Sequence, residues 1–130
     1  MGSPEPFVHH IGVFASDLAV SRDFYSAALA PLGVRIGYET AVTAEYWPPG
    51  RDTPSLSLER AEAATECTRG VHIAFAAGDR AAVEAFHTAA VAAGGRSRHA
   101  PRHWPQYRAY CAFVSDPDGN NIEAVHKEES

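Results

Sequence analysis

The chain has 130 residues, of which 45% are hydrophobic and 21% are charged, a balance typical of a folded globular protein. Its net charge of −5 at pH 7 excludes the basic surface expected of a nucleic-acid-binding protein. The sequence has no long apolar run and no signal-peptide pattern, and its two cysteines, Cys67 and Cys111, lack metal-binding spacing. We therefore expect a cytoplasmic protein that does not interact with a membrane.

The first half of the chain predicts one strand, one helix and three further strands. Residues 7–15, "FVHHIGVFA", are β-branched and aromatic, as is typical of a strand. Ser16 and Asp17 supply a helix N-cap signal, and apolar residues then recur at helical spacing until Gly33 ends the helix. The three strands that follow are predicted near 34–39, 42–47 and 55–60, with the turn "PPGRDTP" before the last.

The second half repeats this order. "HIGVFASD" begins at His10 and the similar "HIAFAAGD" begins at His72, a shift of 62 positions (72 − 10). Over 24 residues aligned by this shift, ten positions are identical, which indicates a duplicated half-domain. The second-half elements are a strand at 71–77, a helix from 78–79 to 94–95, and strands near 96–100, 108–115 and 120–126. The turn "DPDG" precedes the last of them. One domain over 1–130 is expected, with modules at about 7–60 and about 70–127 and a linker at 61–69.

Alternation along the first strand of each module separates two faces of a sheet. One face of the first strand carries its bulkier residues and is expected to pack against the helices; it consists of Phe7, His9, Ile11 and Val13. The opposite face carries His10 and Gly12, and the corresponding face of the second module carries His72 and Ala74. The repeat therefore selects His10 rather than His9 as the counterpart of His72. The remaining histidines have no such counterpart and are assigned surface or local roles.

A carboxylate occupies the middle of the last predicted strand. Glu123 shares a face there with Asn121 and Val125, and burying a carboxylate is costly unless it is paired or bound to a metal. Two imidazoles and one carboxylate recur as ligands of divalent transition metals, with open positions left for water or substrate. His10, His72 and Glu123 are therefore candidate metal ligands. The alternative is that each histidine is a hydrogen-bonded structural residue.

Three segments carry a resemblance to a known family: "HHIGVFASDLAVSRDFYSAALAPLG", "GVHIAFAAGDRAAVEAFHTAAVAAGG" and "YCAFVSDPDGNNIEAVHK". Together they resemble the vicinal oxygen chelate superfamily of glyoxalases, bleomycin-resistance proteins and dioxygenases. The resemblance covers about 7 to 127. It implies an α+β fold in which two tandem βαβββ modules form a curved mixed sheet around a metal and substrate cavity. It also implies a divalent ion (Zn, Ni, Mn, Fe or Co) held by His10, His72 and Glu123, and a homodimer whose site is built by one chain or by two.

In glyoxalase I a fourth ligand, usually Glu, comes from the last strand of the first module. The matching position here resembles Ser57, and Glu59 lies two residues on along the same face as a candidate base or fourth ligand. The resemblance implies a glyoxalase-like lyase or isomerase that acts on a small molecule chelated through oxygen. The alternatives are a protein that sequesters a small aromatic or drug-like compound, and a dioxygenase-like member.

Several side chains are candidates for substrate contact. Cys111 and Phe113 are predicted to share a face with Glu123, and Tyr107 and Trp47 lie near strand ends where a small apolar or aromatic substrate would be held. Packing in the core or in a dimer is the alternative for each, as it is for Tyr46, Trp104 and Tyr110. Without an identifiable neighbouring base, Cys111 is expected to be an inert buried thiol.

Overall fold

The computed structural model describes residues 6–128 and contains the βαβββ order twice. This is the predicted α+β architecture of two tandem modules. The first module contains β1 (Ile11–Ala15), α1 (Leu18–Leu29), β2 (Arg35–Glu39), β3 (Thr43–Trp47) and β4 (Leu56–Arg60). The second contains β5 (His72–Ala76), α2 (Arg80–Ala92), β6 (Arg96–Trp104), β7 (Ala109–Ser115) and β8 (Asn121–Lys127).

Each module forms its own four-stranded mixed sheet. The strand order is β1-β4-β3-β2 in the first sheet and β5-β8-β7-β6 in the second. The first strand of each module runs parallel to the last strand, and the other pairs are antiparallel. The last strand of each module therefore lies beside the first, which places Glu123 next to β5 and Glu59 next to β1.

Both helices begin at an aspartate N-cap, as the repeat predicts. Asp17 accepts a hydrogen bond from the backbone N–H of Val20 at 3.2 Å, and Asp79 accepts one from Ala82 at 2.8 Å. Each cap satisfies an amide that has no partner within the helix, a contribution of about 1 kcal/mol. The helices pack against each other and against the sheets, where their aromatic residues, such as Phe24, are fully buried.

Two strand boundaries differ from the sequence prediction. β1 begins at Ile11 rather than at residue 7, because its partner strand β4 begins only at Leu56, opposite Ile11. Phe7 is consequently exposed, and the expectation that it packs against the helices is wrong. β6 continues through Pro101 to Trp104 instead of ending near 100. A proline is tolerated there because β6 is an edge strand with irregular register at two places.

The two modules meet along a seam, which is the contact of β1 and Ser16 with the segments that precede β5 and β8. The backbone N–H of Phe14 donates to Oγ1 of Thr68 at 2.9 Å, and the N–H of Thr68 donates back to the carbonyl of Phe14 at 2.8 Å. At the same end of the seam, the N–H and hydroxyl of Ser16 both donate to the carboxylate of Asp118. The turn between β7 and β8 is thereby attached to the first module.

Candidate functional site

Each sheet turns one face toward the helices and leaves the other accessible. Val13 in β1 and Ile73 in β5 are buried against the helices, whereas their strand neighbours Gly12 and Ala74 are exposed. We call the accessible surface the open face of each sheet. The alternation places His72 on the open face of the second sheet, together with the residues that pair with it across β8 and β7.

His72 and Glu123 form a close pair on this open face. Nε2 of His72 lies 2.7 Å from Oε1 of Glu123, within hydrogen-bond distance. The His72 side chain is 53% exposed, whereas the Glu123 side chain is only 11% exposed, because β8 lies between β5 and β7. Glu123 lies opposite Ala74 of β5 and opposite Phe113 of β7. The carboxylate thus lies at the floor of the open face with one edge toward the imidazole.

A small cavity lies beside this pair. Its volume is about 280 Å³, and it is lined by His72, Tyr107, Phe113 and Glu123. The structure thus brings two predicted metal ligands and two predicted substrate contacts to one place. Aromatic walls and a single polar pair are typical of sites that bind small molecules.

Cys111 lies next to Glu123 but does not reach solvent. It is 1% exposed, and burial together with a hydrogen bond to the Glu123 carboxylate raises the pKa of its thiol to about 12. A thiol with this pKa is protonated at neutral pH and is a poor nucleophile. Cys111 therefore lies beside Glu123 as a buried, protonated hydrogen-bonding neighbour.

An aromatic cluster extends the cavity wall onto β6. The ring of Trp104 lies 5.6 Å from that of Phe113, and His99 lies 5.4 Å from Phe113, both edge to face. The guanidinium of Arg102 lies 3.5 Å from the centre of the Trp104 ring. Sequence reasoning missed Arg102 because it ended this strand near residue 100, and it assigned His99 a surface or local role because that residue has no counterpart in the repeat. The signal that could have found them is the continued presence of polar and aromatic residues through "HAPRHW".

The first module contributes a carboxylate to its own open face. Gly12 lies opposite Ser57 in register, and a β-carbon built at Gly12 would lie 3.4 Å from Oε2 of Glu59. The Glu59 side chain therefore extends over the space that the glycine leaves free. Ser57 is half-buried on the same face.

His10 does not join the His72–Glu123 pair in this structure. It is exposed directly before β1, and its Nδ1 lies 2.9 Å from Nδ1 of His9. Among residues 6–128, no group of three or more His, Cys, Asp or Glu side chains is arranged to hold a metal ion.

The remaining predicted aromatics lie outside the cavity. Trp47 covers Gly37, where a β-carbon would be only 1.9 Å from the indole ring, and its Nε1 donates to Glu45 at 3.2 Å. Tyr46 is fully buried, and its hydroxyl donates to the carbonyl of Arg22 at 3.0 Å. Tyr110 is buried as well and donates to Glu84 at 2.8 Å. The hydrogen bonds of these three side chains are all made to neighbouring groups of the same chain.

Comparison with known proteins identifies the family. Residues 7–124 match the family model described as the Glyoxalase/Bleomycin resistance protein/Dioxygenase superfamily. The chain belongs to this superfamily. A search of curated proteins finds no match. Within the part of the chain that the structure describes, no helix is long and apolar enough to cross a membrane.

Solved structures share the superfamily fold. A glyoxalase/bleomycin resistance protein from Albidiferax ferrireducens T118 is 32% identical, with a TM-score of 0.77 over 91% of this chain and 96% of that chain. A lactoylglutathione lyase from Agrobacterium tumefaciens is 21% identical, with a TM-score of 0.64 over 96% of each chain. A glyoxalase I mutant from Zea mays is 22% identical, with a TM-score of 0.67 over 90% of this chain and 45% of that chain. The last two show a likeness of fold.

Superfamily members typically bind a divalent metal, and the residues at the pair fit such an ion in kind. An imidazole nitrogen and a carboxylate oxygen are ligands that zinc and related ions accept. Oδ1 of Asn121, which lies opposite His72 in register, is buried without a hydrogen-bond partner within residues 6–128. This buried amide oxygen has a free lone pair, which a bound ion, or a water molecule held by such an ion, would satisfy.

Proposed function

We propose that the protein is a divalent-metal-dependent, glyoxalase-like lyase or isomerase that acts on a small molecule bound through oxygen atoms. The observation that carries this proposal is the His72–Glu123 pair, with its atoms 2.7 Å apart at the edge of an aromatic-lined cavity. Zn, Ni, Mn, Fe and Co are all compatible with these donors. The proposal includes a single domain over 1–130 and a cytoplasmic location, with which the free thiols of Cys67 and Cys111 agree.

His10 is proposed as the third ligand, contributed by the same chain. The hydrogen bonds between Phe14 and Thr68 hold the segment before β5 against β1. His10 lies four residues before Phe14 (14 − 4), and His72 lies four residues after Thr68 (68 + 4). This placement supports a site that one chain completes by itself, with His10 turning from His9 toward its counterpart. Homodimerisation, also proposed, is then independent of the site, and light scattering measures it.

Glu59 is proposed as the base or fourth ligand in place of the usual residue, since Ser57 is a poor ligand. Its carboxylate extends over Gly12, and Gly12 lies two residues beyond His10 on the same open face. A bound divalent ion would polarise a substrate oxygen and increase the acidity of the neighbouring C–H. The role of Glu59 is to accept that proton, while Phe113 and Tyr107 shield the reacting end of the substrate from water.

Metal content and stability test the proposal. The protein is purified without chelating resin, analysed for metals, and its thermal unfolding is compared with and without EDTA. We expect a bound transition metal and a lower Tm in EDTA, because a ligand that binds only the folded state stabilises it. His72→Ala should abolish metal binding, whereas His87→Ala, on α2 and hydrogen-bonded to Ser97, should not. Metal-free protein with a Tm insensitive to EDTA would overturn the metal claim.

The aromatic cluster favours one further candidate function, the sequestration of a small aromatic or drug-like compound without chemistry. Phe113, Trp104 and Tyr107 form one continuous aromatic wall beside the cavity. A sequestering protein would bind its ligand equally well after His10→Ala, because His10 is not among the residues that line the cavity. The proposed enzyme would lose turnover in this variant, so the two functions are separated by binding and activity measured on the same protein.

A further inference from the structure

Arg102 lies at the outer end of the aromatic cluster. Its guanidinium carbon lies 3.5 Å from the centre of the Trp104 ring. Its Nη1 donates a hydrogen bond to the carbonyl of His103 at 3.1 Å. The residue is exposed, and no carboxylate of residues 6–128 lies within ion-pair distance of it. Most of the donors of the Arg102 fork therefore face solvent, held in position by the ring beneath.

The segment that carries Arg102 is basic although the whole chain is acidic. Residues 96–108 contain four arginines and two histidines and no Asp or Glu, in a chain with a net charge of −5. Other cations nearby are already engaged. Arg98 donates to Oγ of Ser115 at 2.8 Å and to the carbonyl of Gly119 at 2.9 Å, and these bonds tie it to the β7–β8 turn. Arg102 is the cation of this strand that lies on the aromatic cluster.

A second observation points to a ligand at the same place. Nε1 of Trp104 is buried and has no hydrogen-bond partner within the described part of the chain. A buried N–H donor without an acceptor is rare in folded proteins and costs free energy unless a ligand or water satisfies it. Trp104 thus places its ring face against the Arg102 cation and carries a buried donor for which residues 6–128 supply no acceptor.

We propose that Arg102 and Trp104 recognise the carboxylate and the aromatic body of the substrate, which makes the preferred substrate class an extended aromatic acid. This inference rests on the proposed function, since it places the reacting end of that substrate at His72 and Glu123. Arginine pairs with carboxylates through two parallel N–H bonds, and its planar fork stacks on aromatic rings at the same time.

The register sets the length of such a substrate. Glu123 lies opposite Phe113, and Arg102 lies opposite Cys111, so that the two charged groups are separated by two strand spacings. At about 4.8 Å a spacing, the separation across the strands is roughly 10 Å, and the offset of two residues between Cys111 and Phe113 adds about 7 Å along them, so that the two positions are roughly 12 Å apart. A single-ring acid such as benzoate is too short to reach from one to the other, whereas a two-ring acid spans the distance.

Binding of matched probes to the full chain tests this inference. The probes are biphenyl-4-carboxylate, the neutral biphenyl-4-carboxamide and benzoate, titrated by calorimetry at low salt. We expect the wild-type protein to bind the biphenyl acid about tenfold more tightly than the amide and more tightly than benzoate. Arg102→Gln should remove the preference for the acid and leave amide binding unchanged. The control Arg96→Gln, at the start of the same strand, should keep the preference.

Three results would overturn the inference. The first is a wild-type protein that does not distinguish the acid from the amide. The second is equal weakening of acid and amide in Arg102→Gln, since that indicates a merely structural role for the stacked cation. The third is the same loss of preference in Arg96→Gln, which indicates a diffuse charge effect. These assays measure binding and need no turnover, so the preference for the acid can be present even where the metal analysis refutes the proposed reaction.

Discussion

Tyr25→Phe should destabilise the protein by breaking a buried contact between the two modules. The Tyr25 hydroxyl donates to Oδ2 of Asp116 at 2.6 Å, and both residues are buried. Burial and the Asp116 carboxylate raise the pKa of Tyr25 well above its ordinary value, and the hydroxyl is a donor at neutral pH. Asp116 also accepts hydrogen bonds from the side chain and backbone of Asn120.

The magnitude follows from the remaining partners of Asp116. Loss of one hydrogen bond to a charged, buried acceptor costs about 2 kcal/mol, and the carboxylate keeps its Asn120 and Asp118 partners, which prevents a larger loss. A chain of this length should lose very roughly 3–5 °C of Tm for each kcal/mol, so the expected decrease is about 6–10 °C.

Urea unfolding of the wild-type protein and of Tyr25→Phe measures the change, with Tyr38→Phe as the control. Tyr38 is 54% exposed in β2, and the same atom removed there should change the free energy of unfolding by less than about 0.5 kcal/mol. The denaturant m-value should stay constant, because the surface exposed on unfolding is the same. Equal effects of the two substitutions would refute the reasoning that the Asp116 contact joins the modules.

Two further predictions concern titratable groups. Native protein should show one fast-reacting thiol, at half-buried Cys67, because burial and Glu123 raise the pKa of Cys111 to about 12. Ellman's reagent at pH 8 counts the thiols, and two fast-reacting thiols would contradict this prediction. The hydrogen bond from Arg80 lowers the pKa of Glu128 from 4.5 to about 2. The ion pair should therefore stabilise the fold fully above pH 4.5 and lose this effect as the pH falls through 2. Comparison of Tm against pH for the wild type and Glu128→Gln checks this: a Tm difference that did not shrink on acidification would count against it.

Much of the fold could be predicted from the sequence because it is a duplication. The repeat of "HIGVFASD" as "HIAFAAGD" predicts two equivalent modules, and both aspartates of these segments do cap helices. The boundaries that failed are those set by partner strands. Phe7 is a residue type that favours strands, but the pairing of β1 with β4 begins only at Ile11 and Leu56. The residue at which two strands begin to pair cannot be predicted from the local sequence of one of them.

The site was predictable only in part, for a related reason. The alternation of side chains along a strand decides the face on which each one lies, which we call its parity. Parity selected His72 and Glu123, whose Nε2 and Oε1 atoms are 2.7 Å apart. Parity carries no information about rotamers, and His10 contacts His9 in this structure. Parity also fails across bulges, and the register of β6 is irregular on both sides of His99, so that alternation alone does not give the face of this strand.

The seam between the modules breaks the approximate twofold symmetry of the duplication. Under the shift of 62 positions, Thr68 corresponds to Pro6 and Phe14 to Ala76. The amide N–H of Thr68 donates to the carbonyl of Phe14 at one end of the seam. Pro6 has no N–H with which to form the equivalent hydrogen bond. At the Pro6 end there is instead a cavity of about 690 Å³ that Ala76 also lines. The two modules are therefore bonded through main-chain groups at the Thr68 end of the seam, whereas at the Pro6 end the space between them is left unfilled.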